Sequence, residues 1–93
     1  MEKRLTVQKA TPVQCAPQEI LVPKVRVGVV KEALIRQHEG GTFTLTIRLA
    51  RQEPVTLASR RTPDQPRHFK HAETALKTGR ELFGIREFIV TLS

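Results

Sequence analysis

Two stretches of alternating hydropathy constrain this chain more than anything else in it. In TFTLTIRLA, Phe43, Leu45, Ile47 and Leu49 alternate with Thr44, Thr46 and Arg48. A period of two puts one set on the core side of a strand and the other on its far side. In EPVTLASRR, Val55 and Leu57 alternate in the same way with Thr56 and Ala58. Arg51-Gln52-Glu53 lies between them, so the two strands are expected to form a hairpin. Both apolar sets must face the same side, which pairs Leu49 with Val55 and Ile47 with Leu57 and requires an odd number of loop residues. No Gly or Asn is present to make a tight primed turn, so a loop of about three or five residues is expected.

A second helix-to-strand unit follows. Pro63, Asp64 and Pro66 mark residues 62–68 as a loop. Phe69, Ala72, Ala75, Leu76, Gly79, Leu82 and Phe83 form an apolar stripe that predicts a helix over 71–83. His71 stands at its N-cap position, and Glu73 in the first turn suits the helix dipole. Gly84 supplies a left-handed cap after which Ile85 folds back onto the last turn. A strand is expected over 86–92, with Phe88, Val90 and Leu92 on one face and Ile89 on the other. All four phenylalanines fall on apolar stripes and are expected in the core.

The first forty residues read less sharply. Val25, Val27 and Val29 alternate as in a strand, whereas Val27, Val30, Leu34 and His38 recur as on a helix. The run KEALIRQH favours helix by propensity, and Gly40-Gly41 offers a stop. A helix over about 27–38 is therefore expected, with His38 at its end. Residues 1–19, with Pro12 and Pro17, are expected to be a weakly structured arm or, from the alternation of Leu5 and Val7, an edge strand. The resulting expectation is a single α+β domain over 20–93 in the order α-β-β-α-β. Its sheet is antiparallel-rich, of about three strands, with helices on one face. The other face would carry Thr44, Thr46, Arg48, Thr56 and Arg60.

The chain has 93 residues, 39% of them hydrophobic, which suits one domain with a modest core of Leu, Ile and Val. Lys and Arg number 16 against 9 Asp and Glu, a net charge of +7, and the excess is spread along the chain. A surface of this balance attracts polyanions, of which nucleic acid is the commonest in cells. The lone Cys15 makes no internal disulfide. No signal peptide or membrane span is legible, and the cytoplasm is the expected compartment.

Two basic groups are candidates for contact with phosphate. On the sheet face, Arg48, Arg60 and Thr46 would suit a β-ribbon lying in a groove, although Thr and Arg are ordinary on any solvated strand. In the loop before the second helix, Arg60, Arg61, Arg67, His68, Lys70 and His71 are offset only by Asp64. Such clusters hold phosphates by charge-assisted contacts, and a following helix N-terminus adds backbone donors. The site residues expected for nucleic acid are Arg48, Arg60, Arg61, Arg67 and Lys70. His68-x-x-His71 has no partner motif, so no metal site is expected. Cys15 has no neighbouring His, Glu73 and Glu81 each stand four residues from Lys77 as surface pairs do, and no phosphate-loop pattern occurs. Neither catalysis nor a cofactor is expected.

In the last third, Arg67-His68-Phe69-Lys70, Ala72 to Leu76, Arg80-Glu81-Leu82-Phe83-Gly84-Ile85 and Phe88-Ile89-Val90 resemble the ending of small partition-associated or uncharacterised proteins carried on bacterial plasmids. The resemblance spans about residues 43–92 and departs from the pattern at His71, where that group has Ser or Thr. It implies a role in plasmid maintenance, with DNA or a DNA-binding protein as partner, and it carries over no catalytic residue. Two readings follow. One is a basic nucleic-acid-associated accessory or regulatory protein that contacts the DNA backbone. The other is a protein-interaction module or homodimer, joined through a sheet edge or the N-terminal segment, without nucleic acid.

Overall fold

The computed structural model describes residues 14–92. The elements are β1 (Cys15–Ala16), α1 (Gln18–Val27), β2 (Val30–Gln37), β3 (Phe43–Leu49), β4 (Val55–Leu57), α2 (Ala72–Phe83) and β5 (Ile89–Thr91). The class is α+β as expected, but among the described residues the sheet has five strands in the order β1-β4-β3-β2-β5. It is also mixed rather than mostly antiparallel. β3 runs antiparallel to both β2 and β4, whereas β1 pairs parallel with β4 and β2 parallel with β5.

This topology explains why both helices share a face. β1-α1-β2 and β4-α2-β5 are crossovers between strands that point the same way, and both travel across the sheet in the same sense. The common right-handedness of such crossovers places α1 and α2 on one side. There Leu21 and Val25 of α1 and Ala75 of α2 pack with Ala33, Ile35, Phe43, Leu45, Ile47, Leu49 and Leu57 into one buried cluster.

The helix expected over 27–38 is absent. That segment is β2, the longest strand, and the helix lies earlier, over Gln18–Val27 with Pro23 inside it. Helix propensity lost to tertiary pairing: Ala33 and Ile35 are buried opposite Ile47 and Leu45. Gly40 and Gly41 do not stop a helix. With φ of 94° and 89° they turn the β2–β3 hairpin, closed by His38 N–H donating to Thr42 O at 2.7 Å.

The β3–β4 hairpin forms with the expected facing but a register shifted by two. Ile47 opposes Val55, and Thr46 opposes Thr56. The even shift keeps the faces intact. The connection, residues 50–54, has the odd length expected, and Arg51 takes the left-handed position at φ 64° where a Gly or Asn was lacking. The helix over 72–83 is as expected. His71 is its N-cap, Gly84 its left-handed C-cap at φ 68°, and Ile85 N–H folds back to Gly79 O. The last strand is shorter than expected, Ile89–Thr91, and exposed on both faces.

Of the arm expected over 1–19, Leu5 and Val7 lie outside the described residues. Cys15 and Ala16 form an edge strand, and Gln18 and Glu19 already belong to α1. No helix among the described residues is long and apolar enough to cross a membrane.

Candidate nucleic-acid interface

The strand directions define two ends of the sheet. At one end lie the carboxyl ends of β1, β2, β4 and β5, and therefore the N-termini of both helices. Neither helix has a side-chain cap hydrogen bond at its first turn. Open amide groups and the positive ends of two helix dipoles thus face the same way. In open sheets with crossover helices, ligands gather at this end.

The segment between β4 and α2 stays at that end. It leaves after Leu57, folds back through an Ala58–Pro66 bridge and a Ser59 N–H bond to Gln65 O, and rejoins the sheet where Phe69 bridges Phe43. Ser59 Oγ accepts from the N–H groups of Arg61 and Thr62, which fixes the start of the excursion. Ser59 is thus a turn residue.

This arrangement sorts the five expected contact residues. Arg60 and Arg61 ride the excursion, Arg67 is on its returning limb and Lys70 precedes α2, so these four share the carboxyl end. Arg60 is not on the sheet face, because β4 ends at Leu57. Arg48 is on that face but near the opposite end of β3, about 17 Å from Phe43 at about 3.4 Å per residue. Its Nε donates to Glu32 Oε1 at 3.2 Å across the β2–β3 pair. The structure therefore separates Arg48 from the others. Arg67 stacks its guanidinium 4.6 Å from the centre of the Phe69 ring, an orienting contact that leaves its charge unneutralised. Arg60, Arg61 and Lys70 are exposed and make no side-chain hydrogen bond or ion pair among the described residues.

One cluster at this end was invisible in the sequence. His38 and His68, thirty residues apart, bring their rings to 5.4 Å in an edge-on arrangement. His38 Nε2 bonds to Thr44 Oγ1 and His68 Nδ1 to Thr42 Oγ1, each at 2.8 Å. His38 follows a strand, not a helix as expected, and the partner of His68 is His38 rather than His71. Burial first, then the neighbouring His68 and Arg36, hold the His38 pKa below the usual histidine range. No signal short of the strand register would have found this pair.

Beside it the open face of the sheet forms a groove of about 440 Å³. Its floor is Thr44, Thr46 and Thr56, which do share that face as expected. Thr46 and Thr56 bond to each other through their hydroxyls at 2.7 Å. Cys15 on β1 is half-buried, and burial, followed by the charge of Asp64, pushes its thiol up, away from the reactive thiolate. Comparison of the chain with protein-family models, curated proteins and solved structures finds no match.

Proposed function

We propose that this chain is a small basic nucleic-acid-associated accessory or regulatory protein that grips backbone phosphates with the carboxyl end of its sheet. The observation that carries the reading is the set of exposed cations Arg60, Arg61 and Lys70. They are unpaired among the described residues and stand where two helix N-termini also point. Arg67, oriented by Phe69, adds a fourth charge. Arg48 is left out, because Glu32 already offsets it. Contacts of this kind position a protein on a duplex without reading its sequence. The resemblance of the last third to plasmid-borne partition-associated proteins supports a setting in plasmid maintenance.

The test is fluorescence anisotropy with labelled duplex DNA, single-stranded DNA and heparin across a salt series. Each phosphate neutralised contributes about 0.9 to the slope of log affinity against log salt. Combined Arg60→Ala, Arg61→Ala and Lys70→Ala should flatten that slope by about two to three units, while Arg48→Ala leaves it unchanged. Equal binding by the triple variant and the parent at low salt would rule this surface out.

A specific observation also favours self-association. Among the described residues β5 is an edge strand, on which Ile89 and Val90, with Leu92 just beyond, are 49%, 43% and 67% exposed. An uncharged apolar edge invites strand pairing. A second copy joined edge to edge would present two basic ends at once. Sedimentation at micromolar concentration decides between monomer and dimer, and Val90→Lys should dissolve any dimer formed there.

A further inference from the structure

The open-face groove plays no part in the phosphate contacts proposed above. At about 440 Å³ it falls within the range of small-molecule sites, about 300–1,000 Å³. Leu34, Pro54 and Pro66 supply apolar surface, and the threonine floor beneath them is tied into its own hydrogen bonds. A floor already satisfied in this way competes little for water and suits an apolar body. The basic groups are confined to one end, where Arg36 and His38 line the groove. No carboxylate pairs with either among the described residues.

We propose that this groove binds a small organic anion, its carboxylate or phosphate group seated between Arg36 and His38 and its apolar body against Leu34, Pro54 and Pro66. Burial opposes protonation of His38 most, and the groups facing it, His68 from the segment before α2 and Arg36 from β2, add to that. Glu53 lies at the far end of the groove, across the sheet. An anion between Arg36 and His38 reverses the balance and draws a proton onto the imidazole. Binding is therefore linked to proton uptake and tightens as the pH falls.

Benzoate, phenyl phosphate and neutral benzamide, titrated separately into the full chain and followed by amide chemical shifts, test the proposal. At least one of the two anions should give saturable shifts at Thr44, Thr46 and Thr56 with a Kd on the order of 1 mM, and which one saturates identifies the preferred head group. Benzamide should bind about tenfold more weakly, and Arg36→Gln should weaken the anion by a similar factor. Binding at pH 5.5 should exceed that at pH 8 by up to about tenfold, a difference His38→Gln abolishes. The Arg60, Arg61 and Lys70 triple variant should retain the full response, so this site stands or falls apart from the DNA surface. Absence of saturation by both anions, equal binding of benzamide, or competitive displacement by a duplex oligonucleotide would overturn it.

Discussion

Gly79 sits in the middle of α2, where replacing glycine by alanine ordinarily stabilises a helix by about 1 kcal/mol. Here the opposite is expected. A Cβ placed on Gly79 would lie 2.5 and 2.6 Å from two ring carbons of Phe88. The half-buried Phe88 ring must then leave its seat against the core, at the cost of overpacking, about 1–3 kcal/mol. Subtracting the helix gain leaves Gly79→Ala destabilised by about 1 kcal/mol, or about 4–8 °C in Tm for a domain of this size. Phe88 directly precedes β5, so its displacement should also loosen the pairing of β5 with β2. With Phe88→Ala as background the obstacle is gone, and Gly79→Ala should stabilise by about 1 kcal/mol. The sign reversal amounts to a coupling of about 2 kcal/mol. The chain has no Trp or Tyr, so the assay is urea unfolding followed by far-ultraviolet circular dichroism for the four members of the cycle. Amide exchange at Ile89, Val90 and Thr91 supplies the readout on β5. If Gly79→Ala stabilises both backgrounds equally, the close approach of Phe88 to α2 is not what holds β5 in place.

Three further outcomes follow from the geometry. Thr56→Val should cost about 1 kcal/mol in urea unfolding, since it removes the partner of Thr46. The double change Thr46→Val with Thr56→Val should cost less, because neither hydroxyl is then left alone. Because the His38 pKa is lowered in the fold, the unfolded chain takes up the proton first as pH falls. Stability should be unaffected by His38 above about pH 6.5 and should decline as pH drops from there to the folded value; His38→Gln should remove that part of the decline. Gly84→Ala should cost about 1–2 kcal/mol by thermal unfolding, since the C-cap needs φ of 68° and the open space around an added Cβ does not relieve that backbone strain.

Where a local pattern met one dominant force, the sequence was readable. β3 and β4 alternate because each has one core face, and α2 carries its stripe, its cap glycine and the return of Ile85 within one continuous stretch, residues 72–85. The misreading of β2 has a definite cause. Ala33, Leu34 and Ile35 are consecutive apolar residues, and Leu34 projects onto the open face, so the period of two is hidden inside good helix formers. Its strand character comes from β3 on one side and β5 on the other, the latter more than fifty residues away in sequence. The same distance hid the parallel pairings, which the crossover helices create and no single segment encodes.

The candidate surface divides along the same line. Composition identified the basic excess, and four of the five cations singled out do gather at one end, because a loop that returns to the sheet keeps its charges there. It took the register to show that Arg48 is opposite Glu32, and that equal charges in the sequence are unequal in the fold: a paired arginine releases fewer counterions from DNA than an unpaired one. The register also joins His38 to His68, two residues that by position alone belonged to different elements. The first result follows from the β2–β3 pairing alone, the second from β2 and β4 both ending on the same side. A chain of this size that concentrates strand ends, helix N-termini and unpaired cations on one edge has little reason to keep them there for stability. Like charges at close quarters work against folding, and that unrepaid cost is the physical argument behind the anionic partner proposed above.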